Sequence, residues 1–94
     1  NHQYSNSKDW VPYAAQQYEC GNEKEMVLLI KLDVSTKWWN SVAKYPWIAV
    51  NKRLRFGAAA SAAPFQSAII YLGKDKERFK EIFGKYGHMY VPVV

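Results

Sequence analysis

The side chains with the clearest capacity for chemistry lie at the start of the chain, where Asn1 and Tyr4 are three positions apart and His2 stands between them. A carboxamide oxygen accepts hydrogen bonds, an imidazole can exchange a proton near neutral pH, and a tyrosine ring offers a flat surface for stacking. A lone histidine is more often a surface or structural residue, so His2 is the weakest of the three. Asn1, His2 and Tyr4 are therefore the candidate catalytic residues.

A second candidate site is the basic segment formed by Lys52, Arg53 and Arg55. It is followed by residues 57–64, a stretch with little side-chain bulk that is typical of a surface loop. Cations beside such a loop can contact phosphate groups, and the alternative is a solvated turn that binds nothing. The formal net charge of +5 favours an anionic partner without deciding between the two.

Length and composition describe one small folded domain over residues 1–94, with 49% hydrophobic and 22% charged residues. The longest apolar run, 26–30, is far shorter than the roughly 20 residues that a membrane span needs. A single cysteine, Cys20, cannot form an internal disulfide, and no Cys/His cluster has metal-ligand spacing. We therefore expect a cytoplasmic protein with no metal site and no membrane partner.

The elements that must position these residues follow from the pattern of apolar side chains, which predicts the order helix, strand, helix, strand, strand, helix, strand. The helices are predicted to begin near Ser7, Lys37 and Lys74, and the strands to occupy 26–30, 47–50, 66–72 and 88–94. Pro12 fits the first helix only within its first turn. The continuous apolar run 26–30 is typical of a strand covered on both faces, as in parallel sheets. Pro92 indicates that the last strand lies at a sheet edge.

An α/β sheet that begins with a helix normally has a strand before it, because that helix is a crossover between parallel strands. Residues 1–4 match the carboxyl end of such a strand, which is where open α/β sheets bind ligands. The candidate catalytic residues are therefore predicted to lie at the ligand-binding edge of a sheet that continues upstream of Asn1. Either that missing N-terminal half or a second copy in a homodimer would cover the open sheet edge.

Seven segments in this order resemble the phage-type DNA N6-adenine methyltransferases, the Dam-like proteins of bacteriophages and prophages. The segments are Asn1-His2-Gln3-Tyr4-Ser5, Trp10, 26–32, Ser35-Thr36-Lys37-Trp38-Trp39, 52–57, Ala63-Pro64-Phe65-Gln66-Ser67 and 68–72. The resemblance spans nearly the whole chain, and its weight lies in the ordered set because no single segment is specific. The family has two prolines where this chain has His2 and Gln3.

The resemblance implies an α/β fold that is the C-terminal part of a Rossmann-like methyltransferase sheet, mostly parallel with antiparallel strands near its end. It implies that Asn1 and a neighbouring backbone carbonyl accept hydrogen bonds from the adenine N6 amine, and that Tyr4 stacks on the flipped base. It also implies S-adenosylmethionine as the cofactor, although the Asp-bearing segment that holds it in the family has no counterpart here. Lys52, Arg53 and Arg55 would then contact the phosphates of double-stranded DNA.

Two functions stay open at this point. One is the C-terminal portion of a phage or prophage DNA adenine-N6 methyltransferase acting in a bacterial cytoplasm, with the 94-residue chain inactive alone. The other is a non-catalytic, methyltransferase-derived module that binds DNA or a protein, for example as a phage-encoded inhibitor. The exchange of two prolines for His2 and Gln3 favours the second, because it removes the fixed dihedral that aims the backbone carbonyl.

Overall fold

Helices cover both faces of a four-stranded sheet in the computed structural model of the protein, which describes residues 7–51 and 66–93. The elements are α1 (Ser7–Glu19), β1 (Met26–Lys31), a 3₁₀ helix (Lys37–Ser41), β2 (Trp47–Val50), β3 (Ser67–Leu72), α2 (Lys76–Phe83), a second 3₁₀ helix (Gly84–Tyr86) and β4 (Gly87–Tyr90). The predicted order of elements is confirmed, with the difference that the middle helix is a short 3₁₀ helix. The protein is thus a mixed α/β fold.

The strand order in the sheet is β1-β3-β2-β4, and every hydrogen-bonded pair among the described residues is antiparallel. The expectation of a mostly parallel sheet is therefore not met within these residues. β1 and β2 do run in the same direction, because each is antiparallel to β3, but β3 lies between them. β4 is at the sheet edge, as Pro92 predicts.

Each face of the sheet has its own core, because successive side chains of a strand point to opposite faces. The first cluster joins α1 and the first 3₁₀ helix to the sheet through Val11, Ala14, Ala15, Leu28, Ile30, Trp39, Val42, Ala68, Ile70 and Leu72. The second joins α2 to the sheet through Ile48, Val50, Ile69, Tyr71 and Phe79. All six residues of β3 are buried, since this strand contributes to both clusters.

β1 differs from its prediction as a strand covered on both faces. Leu28 and Ile30 are buried under α1, whereas Val27 and Leu29 on the opposite face are 44% and 42% exposed. The cause is the position of the strand: β1 is at the edge of the sheet, and α2 packs on the residues of β2 and β3. A continuous apolar run does not distinguish a central strand from an edge strand with one half-open face.

α1 begins at Ser7, more than one helical turn before Pro12. Pro12 lies inside the helix, beyond its first turn, so the expectation that it would fall in that turn is wrong. Its missing N–H leaves the carbonyl of Lys8 without the usual helical donor. The helix ends where Gly21 adopts a φ of 86°, a left-handed conformation that glycine takes at little cost.

Tyr71 ties β3 to two neighbouring segments. Its hydroxyl donates to Glu25 Oε2 at 2.6 Å and accepts from the backbone N–H of Asp75 at 2.9 Å. Its ring stacks on Phe79 with centroids 4.9 Å apart. Asp75 in turn caps α2, because its carboxylate accepts from the N–H of Arg78 at 3.1 Å. Burial, followed by the bond to Glu25, raises the pKa of Tyr71, which keeps its hydroxyl protonated and able to donate.

Candidate functional site

At one end of the sheet's strands, the last residues of β1 and β2 lie beside the first residues of β3 and β4. Lys31, the last residue of β1, is opposite Ser67, and Val50, the last residue of β2, is opposite Gly87. We call this end of the strands the carboxyl edge, defined by these four residues. It is distinct from the two edge strands, β1 and β4. Because β1 and β2 run in the same direction, the segments that follow both strands leave the sheet here, which is the arrangement that open α/β sheets use to bind ligands.

Hydrogen bonds hold the carboxyl edge together. The N–H of Leu32 donates to the carbonyl of Gln66 at 2.8 Å, and the side-chain amide of Gln66 donates to the carbonyl of Val50. Gln66 therefore links the end of β1 to the end of β2. The N–H of Asn51 donates to the carbonyl of Tyr86 at 2.9 Å, which brings the second 3₁₀ helix to the same edge. Asn51 and Gln66, the two residues that flank 52–65, are thereby fixed.

A polar turn follows β1 at this edge. Asp33 Oδ1 accepts from the hydroxyl of Ser35 at 2.6 Å and from its N–H at 3.3 Å, and the hydroxyl of Thr36 donates to the Asp33 carbonyl at 2.8 Å. The Ser35 hydroxyl lowers the pKa of Asp33, so this carboxylate is a weak base with engaged oxygens. From sequence, Ser35 and Thr36 were placed only in a segment of the family resemblance. The Asp-x-Ser-Thr order is the signal that could have identified the turn.

The start of α1 lies toward the same edge. At the other end of the helix, Tyr45 Oη donates to Glu19 Oε2 at 2.8 Å, and Tyr45 lies two residues before β2 begins, at the opposite end of the strands. α1 packs along the sheet on Leu28 and Ile30. Thirteen helical residues span about 20 Å, which is also the approximate length of a six-residue strand. The first turn of α1 is therefore near the carboxyl ends of the strands.

The predicted site residues all lie outside the described residues: Asn1, His2, Tyr4, Lys52, Arg53 and Arg55. Their assignment stays a prediction. Their described neighbours along the chain are Ser7, where α1 begins, and Asn51, which follows β2. Both neighbours are at the carboxyl-edge end of the molecule, so both predicted sites are attached to one end of the sheet.

An open apolar groove of about 250 Å³ lies on the face of the sheet that α2 covers only in part. Its lining consists of Val27, Leu29, Val50, Ile69, Phe83 and Tyr86. Apolar walls of this kind accept hydrophobic side chains or flat rings. Sequence reasoning missed the groove because it assumed that β1 would be covered on both faces.

A second open cavity, about 520 Å³, lies between α2 and β4 and includes Lys76, Lys80 and His88 among its lining residues. Glu77 also lines it, with a carboxylate oxygen 3.8 Å from the Lys76 ammonium. This carboxylate offsets part of the positive charge. The cavity is therefore a weaker candidate for anion binding than the predicted basic segment.

Within residues 7–51 and 66–93, no helix is long and apolar enough to cross a membrane. The same residues contain no group of three histidine, cysteine or carboxylate side chains that could hold a metal ion. Comparison with protein-family models, with curated proteins and with solved structures finds no match for the chain. The carboxyl edge and the sequence segments attached to it are therefore the basis for assigning a function.

Proposed function

We propose that the chain is the C-terminal portion of a DNA adenine-N6 methyltransferase of phage or prophage type, carrying the catalytic corner and the side that faces the target base. The observation that best supports this is the attachment of two sequence segments to one sheet edge. The segment before Ser7 contains Asn1 and Tyr4, and the segment after Asn51 contains the basic residues. By the resemblance, the first segment handles the flipped base and the second contacts the DNA phosphates beside it.

The sheet topology also supports the proposal. β1 and β2 run in the same direction and are joined through a helical crossover, which is the connection that Rossmann-like sheets use. β3, inserted between them in the opposite direction, fits a Rossmann-like sheet whose antiparallel strands come near its end. The all-antiparallel hydrogen bonding of the described strands is compatible with this, because the two parallel strands are not neighbours.

In the proposed reaction, the carboxamide oxygen of Asn1 and a neighbouring backbone carbonyl accept hydrogen bonds from the adenine amine. These bonds shift the nitrogen toward tetrahedral geometry and make its lone pair available for attack. Tyr4 holds the extruded base by stacking. His2 is the nearest candidate to receive the proton that the amine loses. Lys52, Arg53 and Arg55 hold the flanking phosphates, which positions the duplex without selecting its sequence.

The described residues do not fit the implied cofactor, S-adenosylmethionine. Their glycines, Gly21, Gly73, Gly84 and Gly87, are too dispersed to form a glycine-rich turn. The carboxylate at the end of β1, Asp33, is already engaged by Ser35 and lies 3.9 Å from the Lys31 ammonium. The proposal therefore assigns cofactor binding to sequence other than the described residues, and it assigns to this chain the handling of the base and the DNA.

Methyl transfer by the native protein, with whatever upstream sequence its gene encodes, tests the proposal. Labelled methyl groups should pass from S-adenosylmethionine to adenine in duplex DNA. Asn1→Ala and Tyr4→Ala should each reduce this transfer by on the order of a hundredfold or more. The matched control is Val93→Ala, because this side chain is 99% exposed and should not matter. Transfer that survives both site substitutions would show that the site assignment is wrong.

The second candidate function is a non-catalytic module that binds DNA, and the observation in its favour is His2-Gln3 in place of the two prolines. A misplacement of about 1 Å in the carbonyl that they would aim can reduce the rate on the order of a hundredfold. The module would bind duplex DNA without transferring methyl groups. Lys52→Ala should then weaken binding to all DNA sequences alike. It should also reduce the slope of the logarithm of the binding constant against the logarithm of the salt concentration by about one.

A further inference from the structure

The outer edge of β1 faces away from the rest of the sheet, and no described strand pairs with it. In the ladder with β3, Leu32 donates its N–H to Gln66, so the backbone groups of the even-numbered residues of β1 point toward β3. The backbone N–H and carbonyl groups of Val27 and Leu29 consequently point outward. The edge offers hydrogen-bonding groups to any strand that approaches it.

The same two residues carry half-exposed aliphatic side chains. Val27 and Leu29 are 44% and 42% exposed and line the apolar groove beside α2. The opposite edge strand, β4, is shorter, with four residues against six in β1, and short edge strands offer less backbone for pairing. β1 is therefore the edge suited to pairing with another chain.

We propose that two copies of this chain pair through β1, antiparallel, about a two-fold axis that passes beside Leu28 and is perpendicular to the sheet. This axis keeps the two faces of the sheet continuous across the pair, so the groove face of one copy continues into that of the other. It places Val27 opposite Leu29 of the second copy, and both are positions whose backbone groups point outward. The result is one eight-stranded sheet.

The charged side chains favour this register over the two adjacent registers of the paired strands. With the axis beside Leu28, Glu25 lies opposite Lys31 of the second copy at both ends of the paired strands, so opposite charges meet. One carboxylate oxygen of Glu25 accepts from Tyr71, which holds this side chain at the start of β1. The Lys31 side chain is 41% exposed, and its ammonium nitrogen lies 3.9 Å from Asp33 Oδ2, so a carboxylate of the second copy can approach it as well.

The two adjacent registers pair both the charged and the apolar side chains less favourably. An axis beside Leu29 would bring Glu25 opposite Asp33 of the second copy, two like charges, and would set Val27 against Lys31. An axis beside Val27 would set Glu25 against Leu29, a carboxylate against an apolar side chain. Only the axis beside Leu28 pairs apolar with apolar and acid with base. A single pair of strands is a small interface, so the dimer is expected to be weak and dependent on concentration.

The dimer uses none of the predicted catalytic residues, and it accompanies the second candidate function, the non-catalytic module, because the proposed methyltransferase has an upstream strand of its own to cover this edge. In a longer polypeptide, an upstream strand of the same chain would compete with the second copy for the same edge. The upstream strand and the second copy cannot both pair with β1. The first gives the mass of a monomer and the second the mass of a dimer.

Sedimentation equilibrium of the 94-residue chain over a concentration series tests the proposal. The mass should rise from 10.9 kDa toward twice that value. Glu25→Lys and Lys31→Glu should each weaken the dimer about tenfold or more, because like charges then face each other at both ends. The matched control is Glu81→Lys, the same charge change at an exposed position on α2.

Mixing the two charge variants gives the decisive result. A Glu25→Lys chain paired with a Lys31→Glu chain again has opposite charges at both ends, so the mixture should dimerise about tenfold more tightly, or better, than either variant alone. The two positions are about 20 Å apart within one strand, so this rescue cannot arise inside a single copy. Circular dichroism of each variant must show that it is folded. Hydrogen exchange should protect the amides of Val27 and Leu29 only in the dimer.

Three outcomes would overturn the proposal. One is a monomer at every concentration, and another is a dimer that neither charge reversal weakens, since this would place the contact elsewhere. The third is a native protein with upstream sequence that remains monomeric while the amides of Val27 and Leu29 are protected. That result would assign the edge of β1 to a strand of the same polypeptide.

Discussion

Gly87 shows how a single missing side chain permits the pairing of β4 with β2. It lies opposite Val50 at the carboxyl edge. A Cβ at this position would overlap the carbonyl oxygen of Ala49 and approach its carbonyl carbon to 2.8 Å. The φ of 166° is ordinary extended backbone, so the requirement for glycine comes from the close approach of β2.

Gly87→Ala should therefore destabilise the protein, because either β4 or the backbone of β2 must move to admit the methyl group. The expected loss is about 1–3 kcal/mol of the free energy of unfolding, measured by urea denaturation. Gly84→Ala is the matched control: its Cβ would meet no atom closer than Lys80 Cγ at 3.7 Å, and its backbone is helical. This control should be neutral or stabilising by up to about 1 kcal/mol. Equal effects of the two substitutions would contradict the role of Gly87.

At the same scale, the candidate site could be predicted only as residue types in order. Asn1, Tyr4 and the basic segment stand out because few side chains can accept from an amine, stack on a base or bind phosphate. The hydrogen bonds of Gln66 and the turn at Asp33 were not predicted, since both depend on which strand ends meet at one edge. Residue type alone does not indicate which strand ends lie together in the sheet.

At the scale of elements, the apolar periodicity was sufficient to predict the order of helices and strands. The pairing of the strands could not be predicted, because it depends on contacts between residues far apart in sequence. β3 returns between β1 and β2, so Ile70 lies opposite both Leu28 and Trp47. For the same reason, the apolar run of β1 predicts a strand covered on both faces, which is wrong because Val27 and Leu29 are half-exposed. Its local pattern is compatible with a central strand and with an edge strand.

The last turn of α1 is held to the segment before β2 by a small polar cluster. Glu19 accepts from Tyr45 Oη at 2.8 Å, and its carboxylate is 3.2 Å from the Lys44 ammonium. The ring of Tyr45 meets the ring of Tyr18 edge-on with centroids 5.7 Å apart. Burial raises the pKa of Tyr45, and the bond to Glu19 raises it further, so its hydroxyl is a donor throughout the neutral range.

This cluster should make stability depend on acid. The bond from Tyr45, followed by that from Lys44, lowers the pKa of Glu19 in the folded protein. A lowered pKa means that the stabilisation is present above the ordinary glutamate value, about 4.3, and is lost as the pH falls through the folded value. Glu19→Gln should therefore cost up to about 1 kcal/mol near neutral pH, a small amount because the Glu19 side chain is 44% exposed.

Urea denaturation of the wild type and of Glu19→Gln, near neutral pH and again near pH 3, measures this dependence. The difference between the two proteins should shrink in acid, because protonated Glu19 then resembles glutamine. Glu81→Gln, an exposed change on α2, should show no such trend. A difference that stays constant with pH would mean that the charge of Glu19 does not matter.

At the scale of the whole molecule, β3 couples the two cores. Its alternate residues enter different clusters, Ile70 and Leu72 under α1, and Ile69 and Tyr71 under α2. All four tryptophans belong to the first cluster or pack against it: Trp10, Trp38, Trp39 and Trp47. Tryptophan fluorescence therefore reports one face of the sheet, while far-ultraviolet circular dichroism reports the helices and strands of both.

Because one strand serves both cores, a cavity made in the second cluster should unfold the first as well. Ile69 is 7% exposed and lies beside the open groove, so Ile69→Ala should cost about 2 kcal/mol, the lower end of the range for such truncations. Measured at a dilution where the chain is monomeric, the urea midpoints from fluorescence and from circular dichroism should fall together. Val27→Ala, on the same face but 44% exposed, should lower both by less. If the fluorescence midpoint of Ile69→Ala stays at the wild-type value while the circular dichroism transition splits in two, the faces fold independently and β3 does not couple them.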